Sequence, residues 1–328
     1  MGSDQVPQQY WNALLGITTR AQAEYEENKG AVEDGLKSET NPGPLTQESR
    51  EWLESAMRDL VDSTDPSKIM DRVMGSLLRY ATTTELGEED RATILTLAVK
   101  LEDLLQFADL AKKFKNLGGF DIITRFLNYT EYIDLRMAGA EMLITMCENN
   151  PIAQNMVVAL PLFKHIFQLL ADPRHDTRFR YKLLGSISAI ARSHGPAYDA
   201  FLAVEGPQTL CQIAVAEESE ARLAHKALRV LATIVYTYRD DSSRADSAKE
   251  FISRGYAHLS EKRTEDSAEL AYIRELLLQD VAWEQVSEEG RQLLVKALTQ
   301  EVSKAFDEQR QQQMVQLLLK KFGANKMG

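Results

Sequence analysis

RMAGAEMLITMCE (136–148), RYKLLGSISAIAR (180–192) and AHKALRVLATIVY (224–236) superpose without gaps at a spacing of 44 residues. Leu143, Ile187 and Leu231 coincide, as do Met146, Ile190 and Ile234. In each copy the apolar residues recur every three or four positions, the period of a helix with one buried face. A weaker copy, ILTLAVKLEDLLQ (94–106), lies 42 residues ahead of the first. A shorter element precedes each of the later three: FKNLGGFDII (114–123), MVVALPLFKHI (156–166) and FLAVEGPQTL (201–210), while FISRGYAHL (251–259) opens a further unit. A helix, a Gly or Pro turn and a longer helix, repeated in the low forties, is the pattern of stacked armadillo or HEAT units. One such unit cannot bury its own apolar face, so its neighbours must supply the core. The fold expected is all-α: an armadillo/HEAT-like helical solenoid of about four repeats with flanking helices.

The rest of the 328 residues fits round that array. Residues 20–62 hold eleven acidic and five basic side chains, and so carry −6 of the chain's net −11. Within them NKGAVEDGLKSETNPGP (28–44) has few aliphatic residues and ends in turn formers, the composition of a linker. The expected division is a flexible acidic head and linker over 1–44, a repeat domain with its leading helix over 45–285, and C-terminal helices over 286–328. With 44% apolar residues, a chain of this length removes roughly 75% of its unfolded surface from water and needs no staples. Cys147 and Cys211, the only two cysteines, sit in apolar helical contexts and read as buried thiols. No secretory leader and no long apolar span is visible, which leads to an expected cytoplasmic location. The net charge speaks against nucleic acid or an anionic membrane as the main partner.

Motifs that carry chemistry are missing. There is no G-x-x-x-x-G-K-[ST] phosphate loop, no G-x-S-x-G elbow and no H-E-x-x-H helix. The five histidines, at 165, 175, 194, 225 and 258, stand singly, without a second ligand at metal-binding spacing. The expectation is a binding protein with no catalytic residue, no metal and no cofactor.

Such a solenoid works by its surface. Along each long helix, positions i, i+3, i+7 and i+10 share one stripe. These are Ala138, Glu141, Thr145 and Glu148; Lys182, Gly185, Ala189 and Arg192; Lys226, Arg229, Thr233 and Tyr236. The fixed spacing aligns the stripes into a ladder, which in armadillo stacking lies on the concave docking face. Glu141, Thr145, Glu148, Lys182, Arg192, Arg229, Thr233 and Tyr236 are therefore the candidate partner-binding residues. Small residues alternating with charged ones suit a surface that admits a partner closely and orients it by charge.

Four stretches resemble the armadillo-type nucleotide exchange factors of the seventy-kilodalton heat-shock (DnaK-type) chaperones, the heat-shock-protein-binding protein family. KLEDLLQFADLAKKFKNLGGF (100–120) is similar to the first repeat and its Gly-Gly turn. MCENNPIAQ (146–154) resembles the family's Asn-Asn-Pro turn followed by Gln, the most specific of the four. KLLGSISAIAR (182–192) resembles the third-repeat helix, with Lys182, Ile187, Ser188 and Arg192 matching, and LTQESREWLESAM (45–57) the helix that leads into the repeats. In place of the family's acidic, Asn-rich run stands DLAKK (109–113), and Leu160-Pro161 replaces its second Gly-Gly turn. The resemblance implies binding to the nucleotide-binding domain of a cytosolic chaperone and promotion of ADP release, with no catalytic residue. The alternative is a general armadillo scaffold for another protein or peptide. Against a peptide binder of that kind, Thr145, Ala189 and Thr233 occupy the ladder positions where such proteins carry Asn.

Overall fold

The computed structural model describes residues 63–80, 86–216, 219–238, 241–262, 268–279 and 287–304. The chain divides into two compact units, Met1–Val61 and Asp62–Gly328, and all the described residues belong to the second. The expected head over 1–44, the leading helix at 45–57 and any helix beyond 304 lie outside the described residues.

Every regular element among the described residues is helical. Helices α1 (Pro66–Tyr80) and α2 (Glu88–Leu105) pack on each other. After a 3₁₀ turn at Ala108–Leu110, three triplets follow. The first is α3 (Ala111–Asn116), α4 (Gly119–Asn128) and α5 (Ile133–Cys147); the second is α6 (Pro151–Val158), α7 (Pro161–Ala171) and α8 (Thr177–Ala191). The third is α9 (Gly195–Ala203), α10 (Gly206–Val215) and α11 (Ala221–Tyr236), after which come α12 (Ser242–Glu261), α13 (Ala268–Gln279) and α14 (Glu288–Lys304). The longest member of each triplet falls on the 44-residue repeat, and α2, α5, α8, α11 and α13 pack in that order, each on the next.

One expectation is refined here. The element ahead of each long helix is two short helices, because the three stretches quoted for it straddle a turn. Gly118 adopts φ 77°, Leu160 is extended before Pro161, and Glu205 sits at φ 58° before Gly206-Pro207. A proline early in a helix has the right φ and gives up an amide that would be unpaired anyway, so it starts a new helix rather than continuing the old one. Gly119 and Gly206 hold the corner tight: a Cβ there would lie 2.3 Å from the Phe114 ring and 2.2 Å from the Phe201 ring. The fourth unit departs further, with the single 20-residue α12 standing where the others have a pair.

The superposed residues are the core. Leu143, Ile187, Leu231, Met146, Ile190 and Ile234 are all fully buried. Burying a side chain of this size contributes about 1.5–3 kcal/mol, and each is covered partly by the neighbouring repeat. Polar ties lock the stack at matching places. Arg136 Nε donates to the Leu127 carbonyl at 2.9 Å, and Arg180 Nε, 44 residues on, donates to the Leu170 carbonyl at 2.8 Å. Each guanidinium thus satisfies a carbonyl at the end of the preceding helix, where no intrahelical donor remains. Ser186 Oγ donates to the Ala140 carbonyl at 3.0 Å, tying α8 to α5. Cys147 and Cys211 are buried, and burial pushes both thiols up from their ordinary pKa. No described helix is long and apolar enough to cross a membrane.

Candidate partner-binding face

The stacking of α2, α5, α8 and α11 sets the proposed ladder residues side by side. Glu141, Thr145, Lys182, Arg192, Arg229, Thr233 and Tyr236 are partly buried, and Glu148 is exposed. Ala189 differs from the stripe expected of it: at 7% exposure it is the floor of a groove rather than part of an open face. The larger side chains around it rise above its single methyl.

Cross-rung ion pairs run along the first half of the ladder. Lys182 Nζ pairs with Glu141 across α8 and α5, and Arg192 reaches Glu148 at 3.7 Å. Thr145 Oγ1 donates to Glu102 of α2 at 3.5 Å. Glu102 is held above the ordinary carboxylate range, first by burial and then by the nearby Glu141 and Asp103 charges. Pairs this exposed contribute only about 0–1 kcal/mol each, so a partner's charges can replace them at little cost.

The second half has a different character. Ile144, Glu148, Gly185, Ser188, Ala189, Arg192, Lys226, Arg229, Val230, Thr233 and Tyr272 enclose a groove of about 300 Å³ between α5, α8, α11 and α13. Lys226 Nζ lies 4.6 Å from the Tyr181 ring centroid, and Arg222 covers the same ring at 4.8 Å. Burial is the first cause lowering the Lys226 pKa, with the Tyr181 phenol group opposing it and Arg229 reinforcing it. Lys226 lay on the expected stripe. Tyr272 could not be foreseen, because α13 carries no clear copy of the repeat.

The resemblance motif MCENNPIAQ divides between two jobs. Asn149 takes a left-handed φ of 54°, and Asn150 caps α6 by accepting from the Ala153 amide at 3.2 Å. Gln154 Nε2 donates to the Ala189 and Arg192 carbonyls at 2.8 and 3.1 Å, closing the end of α8. These side chains build the stack. Glu148, on the ladder, is exposed, as are Asn149, Pro151 and the half-exposed Ile152 at the turn. Among the described residues no group of three or more His, Cys, Asp or Glu is placed to hold a metal ion.

This geometry defines an all-α, armadillo-like repeat protein. Among solved structures, a designed armadillo repeat protein in complex with the peptide (KR)4 superposes at TM-score 0.53 and 12% identity, covering 75% of this chain and 98% of that one. A second designed armadillo repeat protein matches at TM-score 0.51, with 12% identity and the same coverage. In sequence, the chain is 28% identical over 176 residues to the Hsp70-binding protein 1 of Rattus norvegicus and to that of Mus musculus. The match takes in 50% of this chain and 47% of each relative, so the chain spans about half the length of the curated relatives it matches. No protein-family model matches the chain.

Proposed function

We propose that this chain is a co-chaperone: a nucleotide exchange factor that grips the nucleotide-binding domain of a seventy-kilodalton heat-shock chaperone in the cytoplasm. The observation that carries the reading is the 176-residue similarity to Hsp70-binding protein 1. The ladder built by α5, α8 and α11 supports it, with Glu141, Thr145, Glu148, Lys182, Arg192, Arg229, Thr233 and Tyr236 as the gripping residues. The role is binding, not catalysis. A partner that prefers the open, nucleotide-poor form of the chaperone weakens ADP binding by the factor with which ADP weakens its own. A tenfold effect needs about 1.4 kcal/mol of differential binding, within reach of a few well-placed contacts.

The test preloads a chaperone with fluorescent ADP and times its release. Wild type should accelerate release, and the variant with Lys182, Arg192 and Arg229 all changed to Glu should not, while keeping its helicity. Like-charge juxtaposition at an interface costs several kcal/mol, whereas surface changes elsewhere rarely exceed about 0.5 kcal/mol. Full acceleration by a folded triple variant would remove the ladder from the contact. No acceleration by wild type, across several cytosolic chaperones, would leave the general scaffold as the function.

A further inference from the structure

We infer that the groove between α8, α11 and α13 receives an acidic, Asp- and Glu-rich segment of a protein partner. The inference rests on the ladder being the docking face and specifies the chemistry of what docks at its α11 end. The first support is the distribution of charge. In a chain of net −11, three cations line this groove, Arg192, Lys226 and Arg229, against one acid, Glu148. Their pairing falls away along the ladder. Lys182 is closed onto Glu141, Arg192 reaches Glu148 only at 3.7 Å, and Arg229 forms no ion pair within the described residues. Lys226 rests on an aromatic ring, which is a weaker partner than a carboxylate. Among the described residues the positive end of the ladder is therefore short of anions.

The second support is shape. Gly185 and Ala189 form the floor, and a Cβ on Gly185 would meet Ile144 Cδ1 at 3.0 Å, so α5 and α8 already pack closely beneath it. Ser188 and Thr233 place hydroxyls on the walls, and Tyr272, 43% exposed, stands at the rim. A volume of about 300 Å³ is at the small end for a ligand site, and fits two or three short side chains rather than a helix. Lys226 and Arg229 are three residues apart on α11 and so neighbour each other on its surface. A run of carboxylates can meet both at once. Glu148 favours singly charged carboxylates over doubly charged phosphates, since its repulsion grows with the charge that approaches. The net charge opposes a nucleic acid, whose long phosphate chain would extend beyond the local cations.

The probe is fluorescein-labelled hexaglutamate, titrated with the full chain and followed by anisotropy at low and at physiological salt. Hexalysine and a short oligothymidylate serve as comparisons. Hexaglutamate should bind, weaken as salt rises, and lose affinity roughly tenfold or more with Arg229→Glu. Thr233→Glu, which adds an anion to the groove and leaves every cation in place, should do the same, and Lys115→Glu on α3 should not. Circular dichroism of each variant confirms that it is folded. Absence of hexaglutamate binding, equal binding by Lys115→Glu and Arg229→Glu, or tighter binding of the oligothymidylate would overturn the inference. Adding excess hexaglutamate to the chaperone assay separates the two readings. Peptide binding lost with Arg229→Glu, together with no effect on a chaperone, would uphold the acidic groove and refute the chaperone as its partner.

Discussion

At the scale of residues, side chains that look alike in sequence do different work according to the charge around them. Glu141 and Glu148 lie on the ladder with a cation each, whereas Glu102, one rung earlier, has Thr145 and two other acids as close company. Burial, then Glu141 and Asp103, raise its pKa, and Lys182 and the Thr145 hydrogen bond oppose them only in part. The linkage has a definite sign. A carboxyl whose folded pKa is raised contributes stability that is full below its unfolded pKa and lost as the pH rises through the folded value. Glu102→Gln, which keeps the shape and removes the charge, should therefore stabilise the protein at about pH 7.5 and much less at about pH 3. Thermal melts of both proteins at the two pH values check this. An equal shift in Tm at both would show that Glu102 is not penalised by its charge.

Helices and turns show how far the sequence could be read. The 44-residue register was legible because its signal is the core itself: Ile187 and Leu231 are apolar for the same geometric reason. Lys182 and Arg192 were legible as ladder residues because helical periodicity places them. The Gly118-Gly119 and Gly206-Pro207 corners were legible as turns, but that a separate helix stands on each side of them was not. Neither was the role of Gln154, whose two carbonyl partners lie 35 and 38 residues away. The corners now make a prediction at their own scale. Gly206→Ala drives a Cβ into the Phe201 ring and to 2.8 Å from its carbonyl oxygen, so it should destabilise by about 1–3 kcal/mol. Gly75→Ala, at an exposed position of helix α1 with nothing within 4 Å of the new Cβ, should stabilise by about 0.5–1 kcal/mol. Urea titrations of the two variants should move the midpoint in opposite directions, and a Gly206→Ala midpoint at or above that of wild type would contradict the close approach at the α9–α10 corner.

For the described unit as a whole, stability is a matter of neighbours. Each repeat supplies one wall of the next repeat's core, so stability should behave as a sum of repeat and interface contributions. A cavity then has consequences that depend on where in the stack it is made. Ile187 is fully buried on α8, which packs on both α5 and α11, and Leu298 is buried on α14, which packs on α12. Truncating either to Ala removes comparable apolar volume and costs about 2–5 kcal/mol locally. Ile187→Ala weakens two interfaces in the middle, so unfolding should stay a single transition at a lower urea midpoint. Leu298→Ala weakens an interface with fewer of the described helices beyond it, so α14 should open before the rest. Hydrogen exchange read by peptide mass spectrometry distinguishes the two. Protection should fall across α5, α8 and α11 together for Ile187→Ala, and over α12 and α14 alone for Leu298→Ala. Loss of protection throughout α2 to α11 in the Leu298 variant would mean that the unit unfolds all at once, and that nearest-neighbour stacking does not describe its stability.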